Sequence, residues 1–202
     1  MAALLGAEAG GEVNRILDLG CGTGLVGRTF RACGALSTLE GCDLSVKMVE
    51  AARARQYERR RKGGENKVTC KVYERVEQQD CETFLDSVGN ASVHAILAGD
   101  VLCYFGVLDK LLTTAARVLR PGGLFSFTVE KLEEGEREAA GAGGFLLRKS
   151  ARYAHSREAV MAAAGRAGLE VTPEHGETEV ILRLQGGEPV RGTVFVLIKQ
   201  KQ

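Results

Sequence analysis

Arg15-Ile16-Leu17-Asp18-Leu19-Gly20-Cys21-Gly22-Thr23-Gly24 is the stretch whose reading decides the fold. A short apolar run passes into alternating glycines, and residues 25–33 follow with the apolar spacing of a helix, so the segment reads as strand, glycine turn, helix. Glycines at 20, 22 and 24 let the backbone turn sharply and approach a ligand without side chains in the way. The spacing Gly22-x-Gly24-x-x-Gly27 also fits a dinucleotide fingerprint, so the glycines alone leave the ligand open.

Outward from this turn the pattern repeats. Residues 37–42 read as a second strand ending at Asp43, and Ser45 is placed to cap a helix carrying Val46, Met48, Val49 and Ala52. Between 53 and 71 the chain is basic and polar, with Arg59-Arg60-Arg61-Lys62 before Gly63-Gly64, and reads as a solvated helix end plus loop. A third, weaker strand is expected over 72–77. His94-Ala95-Ile96-Leu97-Ala98-Gly99 reads as a buried fourth strand leading into Asp100. Residues 108–119 have helical spacing that stops at Pro121-Gly122-Gly123, and 124–129 supply the fifth strand. Such alternation predicts an α/β fold with right-handed crossovers and a mostly parallel sheet covered on both faces. Residues 131–144, charged and then rich in Gly and Ala, read as an excursion over the carboxyl edge of the sheet. A helix is expected over 156–167. Two β-rich runs, 178–184 and 192–199, joined by Gln185-Gly186-Gly187-Glu188-Pro189, predict a closing antiparallel hairpin.

At 202 residues with 45% hydrophobic content, one domain with one substantial core is expected, with 1–14 as a flexible extension. The 27 basic and 26 acidic residues give a net charge of +1, so no global field draws the chain to nucleic acid or an acidic membrane. No run approaches the roughly 18 apolar residues of a membrane span, and the opening residues lack a secretory pattern, which points to the cytoplasm without excluding an organelle. Cys21, Cys33, Cys42, Cys70, Cys81 and Cys103 have no metal-ligand spacing, and neither a metal site nor a disulfide framework is expected.

Two carboxylates carry the chemical argument. Asp18, at the end of the first strand, would repel a pyrophosphate and tolerate a cationic amine or sulfonium. Asp43, at the end of the second, suits the two ribose hydroxyls of an adenosine, a feature shared by nicotinamide and sulfonium cofactors.

Leu17 to Gly24 closely resembles the first motif of class I S-adenosylmethionine-dependent methyltransferases, of the small type 11/12-like kind. Gly41-Cys42-Asp43-Leu44-Ser45-Val46-Lys47-Met48, Gln79-Asp80-Cys81, Ala98-Gly99-Asp100-Val101 and Leu119-Arg120-Pro121-Gly122-Gly123-Leu124 resemble the later motifs in order. The resemblance implies a Rossmann-like, doubly wound sheet of seven strands with an antiparallel C-terminal strand and helices on both faces. It implies S-adenosylmethionine as cofactor, S-adenosylhomocysteine as product and no metal. The methionine part would meet Asp18, Gly20, Cys21, Gly22 and Gly24. The ribose would meet Asp43, and the adenine Leu44, Met48, Asp80 and Cys81. Gly99 and Asp100 would flank the methyl and amino end. Arg152-Tyr153-Ala154-His155-Ser156 resembles a broad group of small-molecule-type methyltransferases.

Methyl transfer from a sulfonium is an in-line displacement with a good leaving group, so positioning in a dry pocket does much of the work and a general base is optional. Asp100 and His155 are candidate bases, and Tyr104 and Tyr153 stand near the substrate in this reading; no catalytic residue is assigned. A small-molecule acceptor is favoured over protein. Many relatives of this kind use N-terminal helices as a lid. Here residues 131–155 are the candidate lid, unless a partner or second copy closes the pocket. The rival readings are a silent scaffold module of the same fold and an NAD-binding oxidoreductase domain.

Overall fold

In the computed structural model, which describes residues 14–33, 37–60, 67–173 and 176–201, the glycine turn is the first of a series of crossovers that build one large sheet. β1 (Asn14–Leu19) passes through the turn to α1 (Leu25–Ala32), and β2 (Ser37–Asp43) is followed by α2 (Val46–Ala54). A hairpin of β3 (Gln56–Arg60) and β4 (Lys67–Lys71) then precedes β5 (Arg75–Gln78) and α3 (Cys81–Asp86). β6 (Val93–Ala98), α4 (Asp109–Val118) and β7 (Leu119–Lys131) complete the parallel part. After β7 come α5 (Arg137–Ala140), β8 (Phe145–Leu147), β9 (Tyr153–His155) and α6 (Arg157–Arg166). β10 (Leu169–Val171), β11 (Glu177–Gln185) and β12 (Glu188–Lys199) end the chain.

The sheet runs β10-β12-β7-β6-β1-β2-β5, a continuous path of seven strands ended by β10, which was not expected, with β8, β9 and the expected β11 attached at its side. β5, β2, β1, β6 and β7 are mutually parallel, and β12 lies antiparallel to β7 from Gly192↔Glu130 to Ile198↔Leu124. The predicted closing hairpin is present as β11 and β12.

Strand alternation sends apolar residues to both faces, as expected of a sheet covered twice. Leu17, Leu19, Ile96, Phe125, Phe127 and Phe195 pack with α3, α4 and α6 on one face. Ile16, Leu39, Ala95, Leu97 and Leu124 pack with Phe30, Val49, Ala52 and Tyr73 on the other.

Four readings need correction. Residues 56–71 form a hairpin rather than a helix end and loop: α2 stops at Ala54, and Tyr57 packs against the second core cluster with the Arg31 guanidinium 5.9 Å from its ring. The tip at 61–66, with Arg61 and Lys62, lies outside the described residues, as do residues 1–13. The third strand begins at Arg75, because Val72 and Tyr73 turn inward to fill the core before the strand starts. Pro121-Gly122-Gly123 lies inside a fifth strand that already begins at Leu119. The pairing with β6 shifts register there, and Gly122 takes φ +79°. Ser45 occupies the N-cap of α2 without a side-chain cap bond, since Asp43 Oδ1 accepts from its N–H at 2.9 Å. Ser156, by contrast, caps α6 as expected, accepting from the Ala159 N–H at 3.1 Å.

Candidate cofactor crevice

Beyond the carboxyl ends of β1, β2, β5 and β6 the connecting loops are tied to one another. Gly20, Gly22 and Gly24 have φ of +57°, +53° and +82°, a conformation that disfavours a side chain. A Cβ on Gly20 would lie 2.1 Å from Val101 Cγ2, so only glycine lets the turn close on the loop after β6. Gly99 answers from the other side: a Cβ there would lie 2.8 Å from Val26 Cγ2 in the first turn of α1. At Gly22, by contrast, a Cβ would meet nothing within 4 Å. The Cys21 N–H donates to the Cys42 carbonyl at 2.9 Å, joining the first and second loops.

Asp43 fixes this junction. Its Oδ2 accepts from the Gly22 N–H at 2.9 Å and its Oδ1 from the Ser45 N–H at 2.9 Å. Each carboxylate oxygen keeps a further lone pair, so the acid can hold the loop and still accept from a ligand. α1 follows its N-cap Gly24, which provides no side-chain cap. Around it, Leu25, Leu44 and Met48 are apolar yet open to solvent, Leu44 being 72% exposed.

Asp18 is placed differently from the expectation. It is 1% exposed beneath the turn and accepts from the Tyr73 hydroxyl at 2.6 Å, while its Oδ1 is buried without a partner. Burial pushes its carboxyl up to about 7, against the opposing pull of the Tyr73 hydroxyl and the Gly27 amide. Tyr73 itself packs under Gly24 and Gly27, so Asp18 supports the turn from below.

Asp80 caps α3, accepting from the Thr83 N–H at 2.9 Å and the Thr83 hydroxyl at 2.6 Å, and these bonds hold its carboxyl below the usual range. The Gln79 N–H donates to the Asp43 carbonyl at 3.2 Å, which brings this loop to the crevice. The Cys81 thiol is buried beside Cys42, and that contact together with burial pushes the Cys42 thiol up. The six cysteines are all free.

Asp100 stands at the end of β6 with φ +56°, its N–H donating to Thr128 Oγ1 at 2.7 Å. Its Oδ1 accepts from Arg183 Nη1 at 2.7 Å. Arg183 also pairs with Glu130, and Glu130 Oε2 accepts from Arg148 Nη1 at 3.0 Å. Arg148 in turn grips Glu136 through two bonds of 2.9 and 2.6 Å. This chain of alternating charge, which joins β6, β7, β11 and the 131–155 excursion, was not foreseen. Its members are far apart in sequence and carry no motif.

The substrate-side candidates are divided. Tyr104, 57% exposed, accepts from Arg152 Nη2 at 3.2 Å. Tyr153 and His155 face Phe145 instead, at ring distances of 5.8 and 6.2 Å. His155 is 3% exposed and lines a cavity of about 610 Å³ between residues 106–109, the 137–145 segment and α6. Its Nε2–H donates to the Gly106 carbonyl at 3.1 Å, its Nδ1 has no partner, and burial lowers its pKa. None of the crevice residues named above Tyr104 lines that cavity.

A glycine turn after the first strand, with an acid ending the second and a parallel sheet between helical layers, defines a Rossmann-like fold. Residues 17–127 match the methyltransferase domain family, and the chain belongs to that family. An uncharacterized methyltransferase of Emericella nidulans is 31% identical over 177 residues, covering 85% of this chain and 62% of its own length. The chain thus spans less than two thirds of that relative. Among solved structures, a Haloferax volcanii methyltransferase in complex with the Trm112 methyltransferase activator superposes with TM-score 0.68 at 18% identity, covering 99% of this chain and 88% of its own. The 1,6-didemethyltoxoflavin-N1-methyltransferase of Burkholderia thailandensis, with 1,6-didemethyltoxoflavin and S-adenosylhomocysteine bound, gives 0.65 at 16% identity, covering 99% and 76%. Among the described residues no group of side chains is placed to hold a metal ion, and no helix is long and apolar enough to cross a membrane.

Proposed function

We propose that the chain is an S-adenosylmethionine-dependent methyltransferase acting on a small-molecule acceptor. The single observation that carries the proposal is the junction of Asp43 with the glycine turn, opened toward solvent beside exposed Leu44 and Met48. The residues fit the cofactor. Asp43 would accept from the ribose hydroxyls, Leu44 and Met48 would cover the adenine, and the Asp80–Cys81 start of α3 would meet its polar edge. The backbone of Gly20, Cys21, Gly22 and Gly24 would approach the methionine part, with Gly99 and Asp100 at the methyl and amino end.

When bound, the sulfonium supplies both the methyl group and a good leaving group. What the chain adds is position and exclusion of water. Val101 and Val26, packed on Gly20 and Gly99, hold the two walls of the crevice at a fixed distance. Asp18 acts from beneath, and its partly protonated state in the free chain gives the cofactor's positive charge a carboxyl to ionise. The 131–155 excursion would cover the acceptor side. The Burkholderia thailandensis neighbour supports a small acceptor, and the Haloferax volcanii neighbour supports a protein partner as an addition.

Mapping amide chemical shifts during titration with S-adenosylhomocysteine tests the placement. Shifts are expected at 20–24, 43–48, 80–81 and 99–100. Shifts confined to the 106–109 and 137–166 cavity would overturn it.

A further inference from the structure

The excursion after β7 returns to the sheet at a particular place. β6 pairs with β7 as far as Ala98↔Phe127, and β12 occupies the other edge of β7 at Glu130. β9 pairs with β7 at Glu130↔Ala154, on the edge that β6 has vacated, so it continues the line of β6 beyond its carboxyl end. Arg152, two residues before Ala154, therefore arrives at the level of Thr128, whose hydroxyl holds the Asp100 N–H.

Arg152 differs from its neighbours in what it lacks. Arg148 and Arg183 each meet carboxylates, whereas among the described residues no carboxylate pairs with Arg152. Its Nη2 donates to the Tyr104 hydroxyl, its guanidinium carbon lies 5.6 Å from the Tyr104 ring centre, and its Nε is buried with no acceptor. The Cys103 thiol nearby supplies no negative charge, because burial and then Asp100 push it up to about 12. Asp100 gives its Oδ1 to Arg183 and acts on Arg152 only through space, with no ion pair between them.

Charge counting points the same way. Glu136, Glu130 and Asp100 are bonded to Arg148 and Arg183 and leave Arg152 without an ion-pair partner among the described residues. Of these three arginines, Arg152 is the one whose guanidinium meets no carboxylate, and it is the cation free to take an anion.

We propose that Arg152, held beside Tyr104 by its bond to the ring hydroxyl, is the receptor for an anionic group, a carboxylate or a phosphate, on the methyl acceptor. The proposal rests on the methyltransferase reading of the crevice. A guanidinium offers a planar pair of N–H donors that matches the two-oxygen edge of either anion, and the Tyr104 hydroxyl anchors one end of it before the ligand arrives. The anion is a handle that sets the orientation of the acceptor, and the methylated atom lies elsewhere on it.

The test uses the chain saturated with S-adenosylhomocysteine and matched probes: benzoate against benzamide, hexanoate against hexanamide, and phenyl phosphate. Binding is followed by ligand-observed nuclear magnetic resonance. At least one anion should bind ten times more tightly than the neutral amides, and the carboxylate and phosphate arms identify which anion is preferred. Arg152→Gln should abolish that preference and Arg152→Lys should restore part of it, with S-adenosylhomocysteine affinity unchanged within twofold in both. Absence of any preference for an anion, or a preference that survives Arg152→Gln, would overturn the proposal. Failure to bind S-adenosylhomocysteine would instead remove the cofactor reading, and the same probe comparison on the free chain would still decide the role of Arg152.

Discussion

At the carboxyl ends of β1 and β2 the contacts that close the crevice are donated by backbone N–H groups: Cys21 to the Cys42 carbonyl, Gly22 to the Asp43 carboxylate, Gln79 to the Asp43 carbonyl. At the ends of β6 and β7 the corresponding contacts run through guanidinium groups, with Arg183 reaching Asp100 from 83 residues away and Arg148 reaching Glu130. Backbone contacts demand residue types, glycine above all, at fixed spacing. Ion pairs between distant elements demand only that opposite charges arrive at one place. The first region therefore leaves a signature in local sequence, and the second leaves none.

The largest effect should come from Gly20→Val. A left-handed φ of +57° and a clash with Val101 combine to cost about 4 kcal/mol of stability. Gly22→Ala, which has the same sign of φ but open space, should cost only about 1–2 kcal/mol. Denaturant titration of both variants separates steric closure from backbone strain. Equal losses would contradict the packing argument.

Next is the pH response of Asp18. Its folded pKa of about 7 lies above the value of an exposed aspartate, so the native state holds a proton that the unfolded chain releases. The stabilisation is complete below about pH 4 and is lost as pH rises through 7, on the order of 4 kcal/mol. Unfolding free energy measured from pH 4 to 8 should fall over that window in the native chain and stay flatter in Asp18→Asn. Identical slopes would show that Asp18 is not the group responsible.

Asp43→Ala should weaken S-adenosylhomocysteine binding by at least tenfold, since each lost charge-assisted bond is worth roughly 1.5–3 kcal/mol. Arg183→Leu should leave that affinity nearly intact and lower stability by about 2 kcal/mol, because the buried Glu130 keeps only Arg148. If Arg183→Leu impaired cofactor binding as much as Asp43→Ala, the division into two regions would fail. The smallest change is expected from Asp80→Ala: about 1 kcal/mol of stability from the lost α3 cap, and less than tenfold in cofactor affinity.

The same division explains what could be read from the sequence. The turn after β1, the acid ending β2, the alternation of parallel strands with helices and the closing hairpin follow from local spacing, and each is found in place. The β3–β4 hairpin was missed because its charges mask a strand alternation anchored by one aromatic residue, Tyr57. Asp18 was expected at the ligand because its position along β1 is legible, while the inward turn of Tyr73 that covers it is not. His155 and Tyr153 looked like neighbours of Tyr104, but the return of the chain as β9 sends them toward Phe145 and leaves Arg152 at Tyr104.

The most direct test of the central claim is calorimetric titration of the chain with S-adenosylmethionine and S-adenosylhomocysteine, with NAD as control. Binding of both sulfur nucleotides and none of NAD is the predicted result. Binding of NAD alone, or of none of the three, would contradict the assignment of the crevice.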